Sequence, residues 1–497
     1  MKTDRSILPV KKNQQLSGHS SLFITLLVLI SLVIPVIVNK FGILAFVAVI
    51  GILTFIGIIL APELGLLAFV WITYTQFSDL AIVHYQLPSI AQILAMVMTL
   101  VILIRITFYG EQPLGWMRTA PILIIFVVNL IISTLHAVDF SIASTVLVSN
   151  AKKILGTLIV VYFIRSQITF RRVIWTLIAA GIIMGTISVF QQMTGTFDKS
   201  YGGFGQWLIA EDNNSITRHR LTGPYHDPNA YAQVLVFIVP LALDRLLSER
   251  RNILRLLAGW AAVVCVITIF FTFSRGNGLL NLVFTVGLFL ILRRMDLVPL
   301  LIMAALGFVL MQYLPDTYSA RVGSLTQIFS SNRNQVSDQS FRSRLNENTA
   351  AYDMFLHDPL LGVGLGNFSS QYPSYAARGG YNASSGPVAA PSLYAEIISE
   401  QGLLGMTIFA IFMVIVFKDL ILSKKQFEDL GLTDSAYLIS AFIAAISGYM
   451  FSGLFKQGAY ANVFWVIVGI AISTVQIASK DLCLVEEEAV SPVKQGV

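Results

Sequence analysis

Three arginines stand where their chemistry is unusual for so apolar a chain. Arg220 lies in Arg218-His219-Arg220-Leu221-Thr222-Gly223-Pro224-Tyr225-His226-Asp227-Pro228-Asn229, Arg275 in Phe273-Ser274-Arg275-Gly276-Asn277-Gly278, and Arg344 in Ser340-Phe341-Arg342-Ser343-Arg344. A guanidinium presents five donors in a planar fork that matches phosphate oxygens. The first motif is a Gly/Pro-rich turn running into a helix at Asn229, whose free N–H groups and positive dipole end suit an anion. Arg218 and Arg342 flank the principal arginines and Asn348 shares the Arg344 face of a helix; these are candidate supporting contacts. The alternative for the first motif is an interfacial loop whose arginines bind lipid headgroups. Arg275, in a tight turn between two apolar runs, either faces a cavity or snorkels to the interface. Of the six histidines only His226, between Arg220 and a helix start, is placed to act as a base or hydrogen-bond donor. None has a metal-ligand spacing, so neither a metal nor a cofactor is expected.

The elements that carry these residues follow from composition. The 497 residues are 56% hydrophobic and 12% charged, half the charge of a soluble protein, with mean hydropathy +0.75. This is an integral membrane protein. The net charge of +6 sits in short clusters between apolar runs, which argues topology and not nucleic acid. A span needs about 20 residues. Candidates are Ser21–Val38, Phe41–Leu60, Glu63–Leu80, Ser89–Ile106, Pro121–Leu135, Ile154–Ile164 with flanks, Val173–Gln191, Tyr231–Leu243 with flanks, Leu256–Phe273, Leu279–Leu292, Leu297–Leu314, Leu393–Phe417, Ala436–Leu454 and Ala459–Ile477. The expected fold is all-α and polytopic, with about 12–14 transmembrane helices and a long extracytoplasmic loop holding short amphipathic helices.

Lys/Arg bias places the N-terminal tail 1–20 in the cytoplasm, and with it the clusters at Arg165, Arg171 and Arg172, at Arg245 to Arg255, at Arg293 and Arg294, and at Lys424 and Lys425. The chain then divides into helices over 21–193, an outer loop over 194–228, helices over 229–314, a large outer loop over 315–391, helices over 392–477 and a cytoplasmic tail over 478–497. Few ionisable residues are expected inside the spans.

In the large loop Leu345, Thr349, Tyr352 and Leu356 recur at helical spacing, so a short helix is expected to lie with this face on the membrane or the bundle. The aromatics Tyr352, Phe355, Phe368, Tyr372, Tyr375 and Tyr381 read mainly as an interfacial belt. Gly362-Val363-Gly364-Leu365-Gly366 follows no strand, so it is not a dinucleotide loop; its glycines are expected to let backbone pack closely on the bundle.

Taken together, Arg-Leu-Thr-Gly-Pro-Tyr-His-Asp-Pro-Asn from Arg220, Phe-Ser-Arg-Gly at Arg275, Arg344 followed by His357-Asp358-Pro359-Leu360-Leu361-Gly362-Val363-Gly364-Leu365-Gly366-Asn367-Phe368, and Gln401-Gly402-Leu403-Leu404-Gly405 resemble the O-antigen ligase/polymerase superfamily, which spans WaaL-type ligases and Wzy-type polymerases. The resemblance covers roughly Arg218 to Gly405. It implies a GT-C-like, metal-independent glycosyltransferase of the plasma (inner) membrane. The donor would be an oligosaccharide on undecaprenyl diphosphate, and Arg220, Arg275 and Arg344 would hold the leaving diphosphate.

One departure matters. Where the ligases carry a His-Asn pair, this chain has Pro391-Ser392. The ligase base is missing unless His226 or Glu396 replaces it. The resemblance therefore leans toward a Wzy-type O-antigen or exopolysaccharide polymerase, with a lipid-linked repeat unit as acceptor. A chain-length regulator and a flippase are the protein partners it implies, beside membrane lipids. The rivals are an O-antigen ligase acting on a lipid or protein acceptor and a transporter of a small anion or lipid-linked sugar; a bare scaffold has no use for three outer arginines.

Overall fold

The computed structural model describes residues 57–58, 61–111, 116–211, 217–294, 339–379, 388–458 and 460–490, without side chains at 116–120, 122, 210–211, 217–218, 339–342 and 480–490. The expected spans Ser21–Val38 and Leu297–Leu314, and most of Phe41–Leu60, lie outside these residues. Contacts divide the chain after Leu64; apart from Pro62–Leu64, every element described below lies in the second unit, Gly65–Val497.

The helices are α1 Pro62–Tyr74, α2 Phe77–Tyr85, α3 Ile90–Tyr109, α4 Trp116–His136, α5 Phe140–Phe163, α6 Gln167–Thr194, α7 Pro228–Ser248, α8 Asn252–Phe271, α9 Asn281–Leu292, α10 Gln339–His357, α11 Phe368–Gly379, α12 Leu393–Asp429, α13 Thr433–Ser452 and α14 Asn462–Val490. Among the described residues nine helices are long and apolar enough to cross a membrane, and α1 with α2 forms a tenth candidate bent by 67°. The protein is an all-α polytopic membrane protein. Among the described residues it adds one hairpin, β1 Trp207–Glu211 paired antiparallel with β2 Thr217–Leu221, inside the segment expected to be a loop. Lipid offers no partner for a backbone amide, so only structures that satisfy their own N–H groups persist there. The helix starts are closed accordingly: Asp139, Ser166, Asp227 and Ser392 each accept an N–H of the following turn.

The centre of the bundle is built from α7, α13 and α14, whereas α3 exposes most of its surface. At one end, four helix termini are tied by charge. Asp244, fully buried, accepts from Arg245 at 2.5 Å and pairs with Arg293. Asp434 accepts from Arg171 at 2.6 Å and from Arg245 at 3.2 Å. Lys424 donates to the Leu292 carbonyl at 3.0 Å. These cations come from clusters assigned by sequence to one side of the membrane, and they meet at one end of the bundle.

For the large loop the structure narrows one expectation and corrects another. On α10 the residues that pack on the bundle are Ala350, Ala351 and Met354, while Leu345, Tyr352 and Leu356 are exposed, which leaves the membrane as the surface for that face. Small residues allow the closer approach to α12, so the buried face is not the one with the largest apolar side chains. Phe368, Tyr372 and Tyr375 join Ala350, Ala351 and Met354 in one buried cluster and are not an interfacial belt. Tyr381 lies outside the described residues.

The glycine string behaves as its composition suggests. Val363 and Gly364 donate to the Ser399 and Glu400 carbonyls, both at 2.9 Å. A Cβ on Gly362, at φ +68°, would stand 2.5 Å from the Ser399 oxygen. The Glu400 carboxylate, buried, then accepts from Gly366 N–H at 2.8 Å, Phe368 N–H at 3.2 Å and the Tyr460 hydroxyl at 3.0 Å. This carboxylate seats the loop between α10 and α11 on α12.

Candidate functional site

The arginine-bearing segments meet at the end of the bundle opposite the ion pairs. Arg220, near the end of β2, donates through Nε to the Thr272 carbonyl at 3.0 Å. Thr272 ends α8, and the chain then passes into a π-helical turn, Arg275–Leu280, in which Leu279 N–H reaches back to Ser274 O at 3.1 Å. Such widened turns recur at functional sites. Ser274 donates its hydroxyl to Asn229 Oδ1 at 2.8 Å, which fastens this turn to the start of α7. Gly276 lies against the Phe455 ring, since a Cβ there would come within 2.8 Å of it. Arg344, on α10, donates Nη1 to the Phe455 carbonyl at 2.9 Å. The turn after α13 is therefore the common abutment of the Arg275 and Arg344 segments. Arg220, Arg275 and Arg344 are all half-buried.

The same turn supplies a cation that sequence reasoning missed. Lys456 pairs with Asp227. Asp227 also caps α7, accepting the Asn229 N–H at 2.7 Å. Burial works to raise the Asp227 pKa, but Lys456 and the helix N–H groups overcome it and hold the carboxyl below its usual value. This corrects the expectation of free N–H groups at Asn229, because the protein's own carboxylate occupies the first of them. Lys456 follows an apolar run and resembles any flanking lysine, so nothing in the sequence set it apart.

Glu396 is buried on α12 and accepts the Gly458 N–H at 3.2 Å, which attaches it to the same turn. Pro391 precedes the α12 cap Ser392 and offers no proton acceptor in its side chain. His226 is exposed with φ +56° and sits within electrostatic range of Asp79. Asn348 is exposed and donates to the Arg344 carbonyl at 2.8 Å, back along its own helix. The side chains of Arg218 and Arg342 lie outside the described residues; their backbones belong to β2 and α10. Among the described residues no group of three His, Cys, Asp or Glu side chains could hold a metal ion.

A cavity of about 580 Å³ opens between α1, α2, α3, α5 and α14. None of the three principal arginines lines it. Among the described residues its cations are Lys152 and Lys153, in the middle of the spanning helix α5. Each candidate span has an apolar window with at most two charged residues, in line with the expectation of few ionisable residues within the spans; in α5 they are these two lysines. The sequence reading centred that span on Ile154–Ile164 and left both lysines at its edge.

A family model described as O-antigen ligase matches residues 260–410. The match spans Arg275, Arg344 and Glu396 and leaves Arg220, His226 and Lys456 outside it. It supports the O-antigen ligase/polymerase superfamily and a membrane glycosyltransferase of that type. No curated protein matches the chain.

Proposed function

We propose that this protein is a Wzy-type polysaccharide polymerase of the plasma membrane. It takes a growing glycan from undecaprenyl diphosphate and adds it to a lipid-linked repeat unit. The observation that carries the reading is the convergence of three arginine-bearing segments. They join through Thr272, Ser274–Asn229 and Phe455 at one end of the bundle. In the reaction an acceptor hydroxyl attacks the anomeric carbon of the donor, and the bond from that carbon to the diphosphate oxygen breaks. Negative charge develops on the departing diphosphate. Guanidinium donors aimed at that charge stabilise the transition state more than the ground state. The acceptor proton needs a base; Glu396 and His226 are the candidates, since the His-Asn pair of the ligases is absent. Outward placement of this end, with both termini cytoplasmic, follows from the Lys/Arg bias of the short loops.

The test is glycan synthesis by the purified protein in liposomes loaded with lipid-linked repeat units. A ladder of lengths supports the polymerase. Transfer of preformed glycan to a different acceptor, with no ladder, supports the ligase instead. Retention of full donor turnover by Arg344→Ala removes that arginine from the mechanism.

The cavity lysines favour one second reading, transport of an anion or lipid-linked sugar, since charged groups at membrane depth often mark a solute path. Solute uptake into liposomes without any glycan turnover would select it.

A further inference from the structure

The structure holds a second cationic site that the arginine cluster does not use. Lys152 and Lys153 are residues 13 and 14 of the 24-residue helix Phe140–Phe163, about 20 Å from its start at 1.5 Å per residue. Charges at such depth are costly and are kept where they meet a partner or a cavity. Among the described residues neither lysine forms an ion pair; Lys153 is only within electrostatic range of Glu396. Both line the 580 Å³ cavity; among the described residues Asp79 is its one carboxylate, so the described charged lining is two cations against one anion. The Thr73 hydroxyl, also in the lining, is enclosed and has no hydrogen-bond partner. Ser149 lies one turn before the lysines on the same helix face. The remaining wall is partly apolar, with Ile72, Ala95, Val148 and Val466.

We propose that this cavity binds a second polyprenyl diphosphate, with Lys152 and Lys153 on the diphosphate and the apolar wall along the first isoprene units. The inference rests on the glycosyltransferase reading above and adds to it. A polymerase joins two substrates that each carry a lipid diphosphate, so it needs two anion sites. A ligase with a different acceptor needs one. Two lysine ammonium groups suit a flexible diphosphate as point charges, where guanidinium forks fix its geometry. Lys153, within electrostatic range of Glu396, relates this cavity to the turn after α13 that receives Arg344.

The experiment is saturation binding of a fluorescent short-chain polyprenyl diphosphate to the full-length protein in phosphatidylcholine nanodiscs. The wild type is expected to bind two per chain. The double variant Lys152→Gln with Lys153→Gln is expected to bind one, or to lose affinity at one site by tenfold or more. Lys152→Arg with Lys153→Arg, which keeps the charge, is expected to bind two and guards against a folding defect in the glutamine variant. Arg220→Gln with Arg344→Gln is expected to remove the other site. Two sites that survive the glutamine lysine variant overturn the inference, as does a single wild-type site lost only with the arginines. Displacement from the lysine site by phosphatidylglycerol as readily as by unlabelled polyprenyl diphosphate also overturns it, since the site then takes any acidic headgroup. No binding by the wild type at all overturns the glycosyltransferase reading itself.

Discussion

Lys456 and Asp227 pair across 229 residues of chain, and the pair joins the start of α7 to the turn that receives Arg344. The carboxylate does two jobs at once, capping a helix and holding a lysine. Its loss therefore loosens two contacts of the same end.

Lys456→Met leaves the Asp227 carboxylate without its cation. A partly exposed pair contributes about 1 kcal/mol or less, so a fall of a few degrees in Tm is expected. The pH dependence is the sharper check. Asp227 has a folded pKa below its unfolded value, so its contribution is present at neutral pH. It is lost as pH falls below about 4, through the unfolded and then the folded value. Thermal unfolding between pH 7 and pH 3 should show a smaller acid loss in Lys456→Met than in wild type; equal losses would dismiss this pair as the cause.

Replacing each principal arginine tests the chemistry. Arg220→Gln, Arg275→Gln and Arg344→Gln are each expected to lower donor turnover about a hundredfold, the scale of one lost donor to developing charge. The fall should appear in kcat as well as in KM, because these arginines hold the diphosphate before it departs and bind it more tightly as charge develops. A change confined to KM would make them binding residues alone.

Gly402 and Gly431 form an internal control for backbone strain. Both adopt positive φ, +61° and +71°; an alanine in the left-handed region costs about 1–2 kcal/mol from conformation alone, and Gly402, with ψ −160°, lies in a region essentially only glycine occupies, so its conformational cost is higher. Around Gly431 the space is open, whereas a Cβ on Gly402 would lie 2.4 Å from the Leu360 backbone. Gly431→Ala should fold with a modest loss in Tm; Gly402→Ala should lose far more or fail to accumulate. Similar stability of the two would mean that the loop beside Gly402 yields easily.

Asp244 and Asp434 differ in burial, and the difference predicts their mutants. Asp244 is fully enclosed between two guanidinium groups, while Asp434 is 42% exposed. Removing one partner of a buried pair costs about 3–5 kcal/mol, so Asp244→Ala should unfold in detergent many degrees below wild type. Water can replace part of what Asp434→Ala removes, and its loss should be clearly smaller. Scanning calorimetry or a thiol-reactive dye assay in detergent reads both.

The chain's apolar runs made the helical membrane fold legible, because run length alone decides whether a segment spans. The seating role of Gly362 to Gly366 was legible too, since closely spaced glycines have few other uses. Four features were not. Whether Lys152 and Lys153 lie inside a span or at its edge depends on where the helix starts, and Asp139 sets that start through its cap. Glu400 looks like a second acid beside Glu396, and only the fold turns it toward the Gly366 and Phe368 amides. The hairpin β1–β2 has too short a strand pattern to stand out from a polar loop. On α10 the choice of Ala350 and Met354 over Leu345 and Tyr352 depends on what packs above the helix, which periodicity does not contain.

The two ends of the bundle are held together in different ways. At one, Asp244 and Asp434 lock the termini of α6, α7, α9 and α13 through charge. At the other, Arg220 and Arg344 donate to carbonyl oxygens on turns, and one partly exposed ion pair, Lys456–Asp227, joins α7 to the turn after α13. A set of rods clamped at one tip moves most at the far tip. The proposed glycan would therefore find its room beside the arginines, with the acidic lock as the fulcrum.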